Sequence, residues 1–296
     1  MKMTNEELGI FFREIRKARG LTLKDVASEQ VTVSQLSRFE RGETVLSFEK
    51  LFATIEAMNM GIEEFTSAMN GYSRNNNQNF RRKISIAYNE KNIFALENML
   101  KEYENKDLTT YQRLQYIIVQ ANLIQVARYR EKYLALTNED ILFATDYLMA
   151  IDEWTIFEVE LFRDLTFFIK NESLFTLANE MIARTTFYIE NSKHRESVVT
   201  SLMFIYIRFI NEKDKKKCLF FRKKIESLLT KDMVSYRINM KMLNLFYDYH
   251  INNEKAALFE MNEVIRSLNI IGLDDLSLGF QREFEFFLKY LEDKNS

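Results

Sequence analysis

No proline occurs anywhere in the 296 residues, and only 7 are glycine. Inside a helix proline removes a backbone donor and clashes with the preceding turn, and glycine costs about 1 kcal/mol relative to alanine. A chain without the first and poor in the second has few helix breakers, while 25 Phe and 14 Tyr supply apolar faces. The composition therefore predicts an all-α protein with short connections. By length the chain should hold roughly two domains, with ample residues for a sizeable core.

Five short helices are expected before residue 70. Thr4 and Glu7 open the first as a capping box, Leu8, Phe11, Phe12 and Ile15 follow at helical spacing, and Gly20 stops it. Thr22 with Asp25 caps a second helix carrying Leu23, Val26 and Ala27. Thr32 and Gln35 cap a third, in which Leu36 and Phe39 can face a core while Val33, Ser34, Ser37 and Arg38 lie opposite, and Gly42 ends it. Ser47 begins a fourth with Phe48, Leu51, Phe52, Ile55 and Met58, and Ile62, Phe65 and Met69 belong to a fifth. This order, with GLTLKDVA followed by SQLSRFERGE, resembles the helix-turn-helix domain of phage-type repressors over residues 4–70.

The resemblance assigns roles position by position. Arg16 and Glu40 correspond to a structural ion pair that fixes the recognition helix against the first. Val33, Ser34 and Arg38 match base-reading places, with Ser37 beside them: Arg38 can donate to guanine O6 and N7, and Val33 can pack on a thymine methyl. Thr22 matches a phosphate-binding place at a helix start. Arg13, Lys17 and Arg41 are candidate phosphate contacts, with an ordinary solvated charge as the alternative for each. The chain has a net charge of −2, so affinity for a polyanion must come from a local patch. Residues 13–41 supply one: seven Lys or Arg against four Asp or Glu.

The polar run Asn70–Asn79 reads as a linker, placing a DNA-binding domain at 1–70, a connection at 71–78 and a second domain at 79–296. That domain reads as amphipathic helices near 79–90, 92–104, 109–128, 138–151, 154–169, 172–190, 195–211, 214–230, 234–251, 254–270 and 274–292. Successive pairs recur every 30–45 residues or so, the range of tetratricopeptide-like hairpins, although that repeat's local consensus is missing. Five degenerate hairpins and a final helix are expected to stack as an α-solenoid with a concave inner surface. The last helix carries Phe280, Phe284, Phe287, Leu288 and Leu291 on one stripe, suited to capping the stack or to a dimer contact.

No catalytic constellation, cofactor motif or metal set emerges, so an enzyme is not expected. His194 and His250 are the only histidines and read as helix-terminal or surface groups. Cys218, the only cysteine, excludes an internal disulfide and reads as a small buried hydrophobe. Neither a leader peptide nor an apolar run of the roughly 18 residues a membrane span needs is evident, so a cytoplasmic protein with no membrane partner is expected.

Taken together, ELGIFFREIRKARGLTL, SQLSRFERGE with Ser47 and Leu51, MNMGIEEF and LMAIDEWTIFEVELF resemble the Rgg (GadR, MutR) family of regulators. Trp154 falls where that family has a Trp-x-x-Tyr/Phe-Glu run. The resemblance implies a homodimer that binds a double-stranded DNA operator and a helical-repeat domain that takes a short apolar signalling peptide. Two departures stand out. Some relatives have a cysteine linking the two heads where this chain has Phe48, and an Asn after the apolar run where this chain has Asp164, which would favour a basic or amino-terminal group on the peptide. An extended peptide needs partners for its amides, which makes Arg82, Asn122, Arg163, Asp164, Arg208 and Asn244 candidates, with Trp154 and Phe162 for an apolar pocket. Two alternatives stay open: a regulator of the same architecture sensing a small molecule or protein, and a scaffold without DNA binding.

Overall fold

A computed structural model of the chain describes residues 4–69, 76–127 and 135–295, and every regular element among them is helical. It divides into two compact units, residues 1–86 and 87–296.

The first unit contains α1 (Asn5–Ala18), α2 (Leu23–Val26), α3 (Val33–Glu40), α4 (Phe48–Ala57), α5 (Ile62–Met69) and most of α6 (Asn76–Asn89). Reciprocal capping boxes open α1, α2 and α3 at Thr4–Glu7, Thr22–Asp25 and Thr32–Gln35. Each satisfies two backbone donors that a helix start would leave orphaned. Phe12, Val26, Val31, Leu36, Phe39, Ile55, Met58, Met60 and Phe65 form the core, with Phe12 set edge-on to Phe39 at 5.4 Å. One expected core residue is not there. Phe48, at the first position of α4, is 71% exposed because the apolar edge of α4 begins at Leu51. Residues 70–75 of the expected linker lie outside the described residues. Its last part, 76–78, is already helical, since nothing there breaks the pattern that continues through Phe80 and Ile84.

In the second unit follow α7 (Ile93–Lys101), α8 (Thr110–Ala127), α9 (Asn138–Ala150), α10 (Ile156–Leu165), α11 (Asn171–Arg184), α12 (Ser192–Asn211), α13 (Lys215–Leu228), α14 (Val234–Asn252), α15 (Ala256–Ile270) and α16 (Asp274–Asn295). Side-chain caps at Asn92, Thr137, Thr155, Asn191 and Asp214 start five of them. Without proline, connections turn at residues in the left-handed region: Asn59, Lys91, Asn105, Lys213 and Asn253 have φ of 52–59°. Three of these five are Asn, which tolerates that conformation better than most side chains.

Helices α8, α10, α12 and α14 pack each on the next and run in the same direction. Tyr111 meets Phe157 and Gln125 reaches the Asp164 carbonyl between α8 and α10. The Ser201 hydroxyl donates to the Val159 carbonyl between α10 and α12, and the Tyr206 hydroxyl donates to Asn244 between α12 and α14. A second layer, α9, α11 and α13, runs beside this row. Arg184 of α11 donates to the Leu148 and Met149 carbonyls that end α9, and Phe175 of α11 packs on Phe220 and Phe221 of α13. Cys218 is buried where α13 meets α12, and that burial pushes its thiol pKa up to about 12. At the end of the stack Phe280 and Phe284 pack on the α14–α15 core, whereas the side chains of Phe287, Leu288 and Leu291 lie outside the described residues.

Candidate nucleic-acid interface and receptor face

The recognition edge of α3 is defined by what is buried behind it. Leu36 and Phe39 are fully sealed, while Val33, Ser34 and Arg38 stand exposed on the other side and Ser37 is half-buried. Gln35 is turned away from that edge, because its side chain accepts from the Thr32 N–H at 3.1 Å. Arg16 fixes the orientation of the helix. Its Nε and Nη2 donate to the two Glu40 oxygens at 2.6 and 2.8 Å, its Nη1 donates to the Leu21 carbonyl, and both side chains are at most 8% exposed. Gly9 permits the close approach: a Cβ there would run into the Phe39 carbonyl oxygen.

The flanking cations differ in availability. Arg13 and Lys17 on α1 have no ion-pair partner among the described residues. Arg41 is engaged: it holds Glu43 through two contacts, one at 3.0 Å, and donates to the Ser37 hydroxyl at 2.6 Å. Arg38 lies 3.6 Å from the same carboxylate. Hydrogen bonding from Arg41 holds the Glu43 carboxyl below the usual range. Thr22 is likewise occupied, since it donates to Asp25 at 2.7 Å, so a phosphate there would meet a carboxylate already in place.

The candidate peptide contacts divide differently. Trp154 and Phe162 are completely buried and packed edge-on at 5.6 Å, so neither lines an open pocket. Trp154 is the joint of four helices: its ring N–H donates to the Leu148 carbonyl, its backbone N–H to the Arg184 carbonyl, and its own carbonyl lies 3.0 Å from His194 Nε2. His194, expected near the surface, is 3% exposed at this joint. Asn122 is buried and donates to the Ile118 carbonyl of its own helix. Asp164 is buried beside Arg163 at 3.3 Å, not presented to a ligand. Arg208 is taken up by Asn171 and Glu212, and Asn244 by Tyr206. Arg82 is exposed on the part of α6 that belongs to the first unit. Further polar groups meet across the row beside the Tyr206–Asn244 pair. Tyr236 of α14 reaches Glu196 of α12 at 3.5 Å and neighbours Thr200 and Arg163. Arg163 in turn faces Glu160 and Tyr88, and although burial opposes its charge, Asp164 and Glu160 raise its pKa.

A model of the C-terminal domain of the helix-turn-helix transcriptional regulator Rgg matches residues 96–282, more than half the chain, and a helix-turn-helix model matches residues 7–65. The chain belongs to the Rgg family. Among solved structures, the SHP pheromone receptor Rgg2 of Streptococcus dysgalactiae is 22% identical, with a TM-score of 0.76 over 94% of this chain and 99% of that one. A transcriptional regulator of Listeria monocytogenes EGD-e is 15% identical, with a TM-score of 0.82 over 98% and 99%. PrgX, solved in complex with cCF10, is 17% identical, with a TM-score of 0.71 over 94% and 91%. At these identities the likeness speaks for the fold.

This Rgg-type regulator thus uses residues that spacing alone did not single out. Gly9 had a signal, a glycine inside a helical pattern, which marks close approach. Glu43 had none, because a carboxylate two residues past a helix can point anywhere. Arg19, whose guanidinium donates to the Met58 carbonyl that ends α4, is a further tie of the same kind. Glu160, Glu196, Thr200 and Tyr236 become neighbours only once the register between α10, α12 and α14 is known.

Proposed function

We propose that this protein is a peptide-responsive transcription factor whose paired heads read an operator. The observation that carries the DNA reading is the free edge of α3: Val33, Ser34 and Arg38 are exposed on a helix whose opposite edge is sealed and whose angle is held by Arg16 and Glu40. One such helix reads only a few base pairs, and a two-fold pair reads half-sites roughly 34 Å apart. The peptide reading rests on the row α8–α10–α12–α14, whose half-buried polar groups suit the amides of an extended chain, and on the fold shared with receptors described as pheromone-binding. Occupancy of the row would then shift the population of head arrangements.

Selection of binding sites from a random duplex library tests the first part. Arg38→Ala should lose about 1–3 kcal/mol on the selected site and relax preference at one base pair. Unchanged discrimination would remove Arg38 from the reading set. For the second part, labelled apolar peptides encoded beside the gene should show saturable polarisation changes, weakened by Tyr236→Ala. Absence of binding by all of them would shift the reading to another kind of ligand.

A further inference from the structure

A carboxylate stands beside the recognition edge of the head, where a polyanion has to approach. Glu43 lies in the turn that follows α3, and its side chain is exposed. An isolated acid at such a place would repel phosphate. Glu43 is not isolated. Its two oxygens accept from Nε and Nη2 of Arg41, and Arg41 Nη1 donates onward to the Ser37 hydroxyl at 2.6 Å. Arg38 Nε lies 3.6 Å from Glu43 Oε2. Two guanidinium groups and one carboxylate leave a single positive charge, so the cluster as a whole still attracts DNA while the acid is held in place. Hydrogen bonding from Arg41 and the charge of Arg38 also keep the acid ionised.

This cluster leaves both a donor fork and an acceptor unused. Arg38 approaches Glu43 through Nε, and its Nη groups make no hydrogen bond among the described residues. A carboxylate has about four lone-pair sites, of which Arg41 fills two. In the major groove a G·C pair offers guanine N7 and O6 as acceptors, followed by the cytosine N4 amino group as a donor. O6 and N4 are hydrogen-bonded to each other, so about 2.9 Å separates them. A forked donor held beside a carboxylate matches that order. An A·T pair alternates acceptor, donor and acceptor, and an inverted C·G pair presents its donor first.

We propose that Glu43 is a base-reading residue. Arg38 donates to N7 and O6 of a guanine, and Glu43 accepts from the N4 amino group of the cytosine paired with it. The two side chains read one G·C pair as a unit, and Arg41 is the positioning residue that neutralises and orients the acid. At the inverted pair guanine O6 meets the carboxylate, acceptor against acceptor, so discrimination exceeds what Arg38 supplies alone. The inference rests on the operator reading and adds an acid to the residues that read.

The test uses the full chain and a duplex selected from a random library. The pair whose preference is lost in Arg38→Ala marks the position. Its cytosine is then replaced by N4-methylcytosine, which still pairs with guanine but turns a methyl group into the major groove in place of the amino hydrogen. Fluorescence anisotropy at one salt concentration should show about ten-fold weaker binding of the methylated duplex by the unaltered protein. Glu43→Ala should bind both duplexes equally and discriminate less against the inverted pair. Glu43→Gln should keep most of the sensitivity, because its carboxamide oxygen still accepts. Replacing the guanine by 7-deazaguanine should weaken binding by the unaltered protein and by Glu43→Ala alike, since that loss belongs to Arg38. Circular-dichroism melting checks that each variant is folded. Equal binding of both duplexes by the unaltered protein overturns the proposal, and so does an equal loss in Glu43→Ala, which would make the effect one of the methyl group's bulk. Either result leaves the operator reading standing. A chain that selects no site at all removes that reading and this inference with it.

Discussion

At the scale of single residues, three arginines of the head have three different jobs, and their substitution effects should separate them. Arg16 is buried against Glu40, and leaving one member of such a pair alone commonly costs about 3–5 kcal/mol, a large share of a small domain's stability. Arg16→Ala should therefore abolish DNA binding by unfolding the head, visible as loss of helical signal. The apolar pair Arg16→Met with Glu40→Leu should recover folding and much of the binding, which a direct DNA contact by Arg16 would not allow. Arg38 should behave in the opposite way, with a normal melt and altered base preference. Arg41 is restrained by Glu43, which also lies near Arg38. Glu43→Gln releases both cations, so binding should tighten and the dependence on log salt should steepen by about 1; a parallel salt slope would mean that neither guanidinium reaches phosphate. The Arg16–Glu40 pair was readable from sequence because both residues sit at fixed positions in a known motif. The Glu43 clamp was not, because it depends on side-chain torsions that no spacing encodes.

At the scale of elements, most helices were legible and their contacts were not. Starts marked by Thr4, Thr22 and Thr32 lie where the capping chemistry puts them, because a cap is a local contract between residues three apart. Trp154 shows the opposite case. Its place before α10 suited either a ligand pocket or a core, and only the convergence of α9, α10, α11 and α12 decides for the core. The crossing of α1 with α3 makes a sharper prediction. Gly9→Ala would push a methyl group into the Phe39 carbonyl, and overpacking of this kind commonly costs about 1–3 kcal/mol. Thermal melting should show the loss, even though alanine is the better helix former; a neutral result would mean that the two helices are free to separate.

For the molecule as a whole, the repeat architecture followed from periodicity alone, whereas the identity of the groove-facing groups required the register between non-adjacent helices. Stability against acid is set at this scale too. His194 is held neutral: burial lowers its pKa, and this outweighs the opposing effects of the Trp154 carbonyl and Glu158. A histidine whose folded pKa lies below its unfolded value of about 6.5 contributes fully above that pH, and its contribution declines as pH falls below it. The melting temperature should thus fall between pH 7.5 and pH 5.5, and His194→Gln should flatten that segment of the curve. An equal slope in both proteins would place the titration elsewhere.

The sealed thiol between α12 and α13 has a practical corollary. A maleimide or disulfide reagent meets nothing reactive on the native surface, so any slow modification of Cys218 counts the moments when those two helices part. The rate of that modification, compared with and without an added candidate peptide, is a built-in gauge of whether that peptide tightens or loosens the repeat unit.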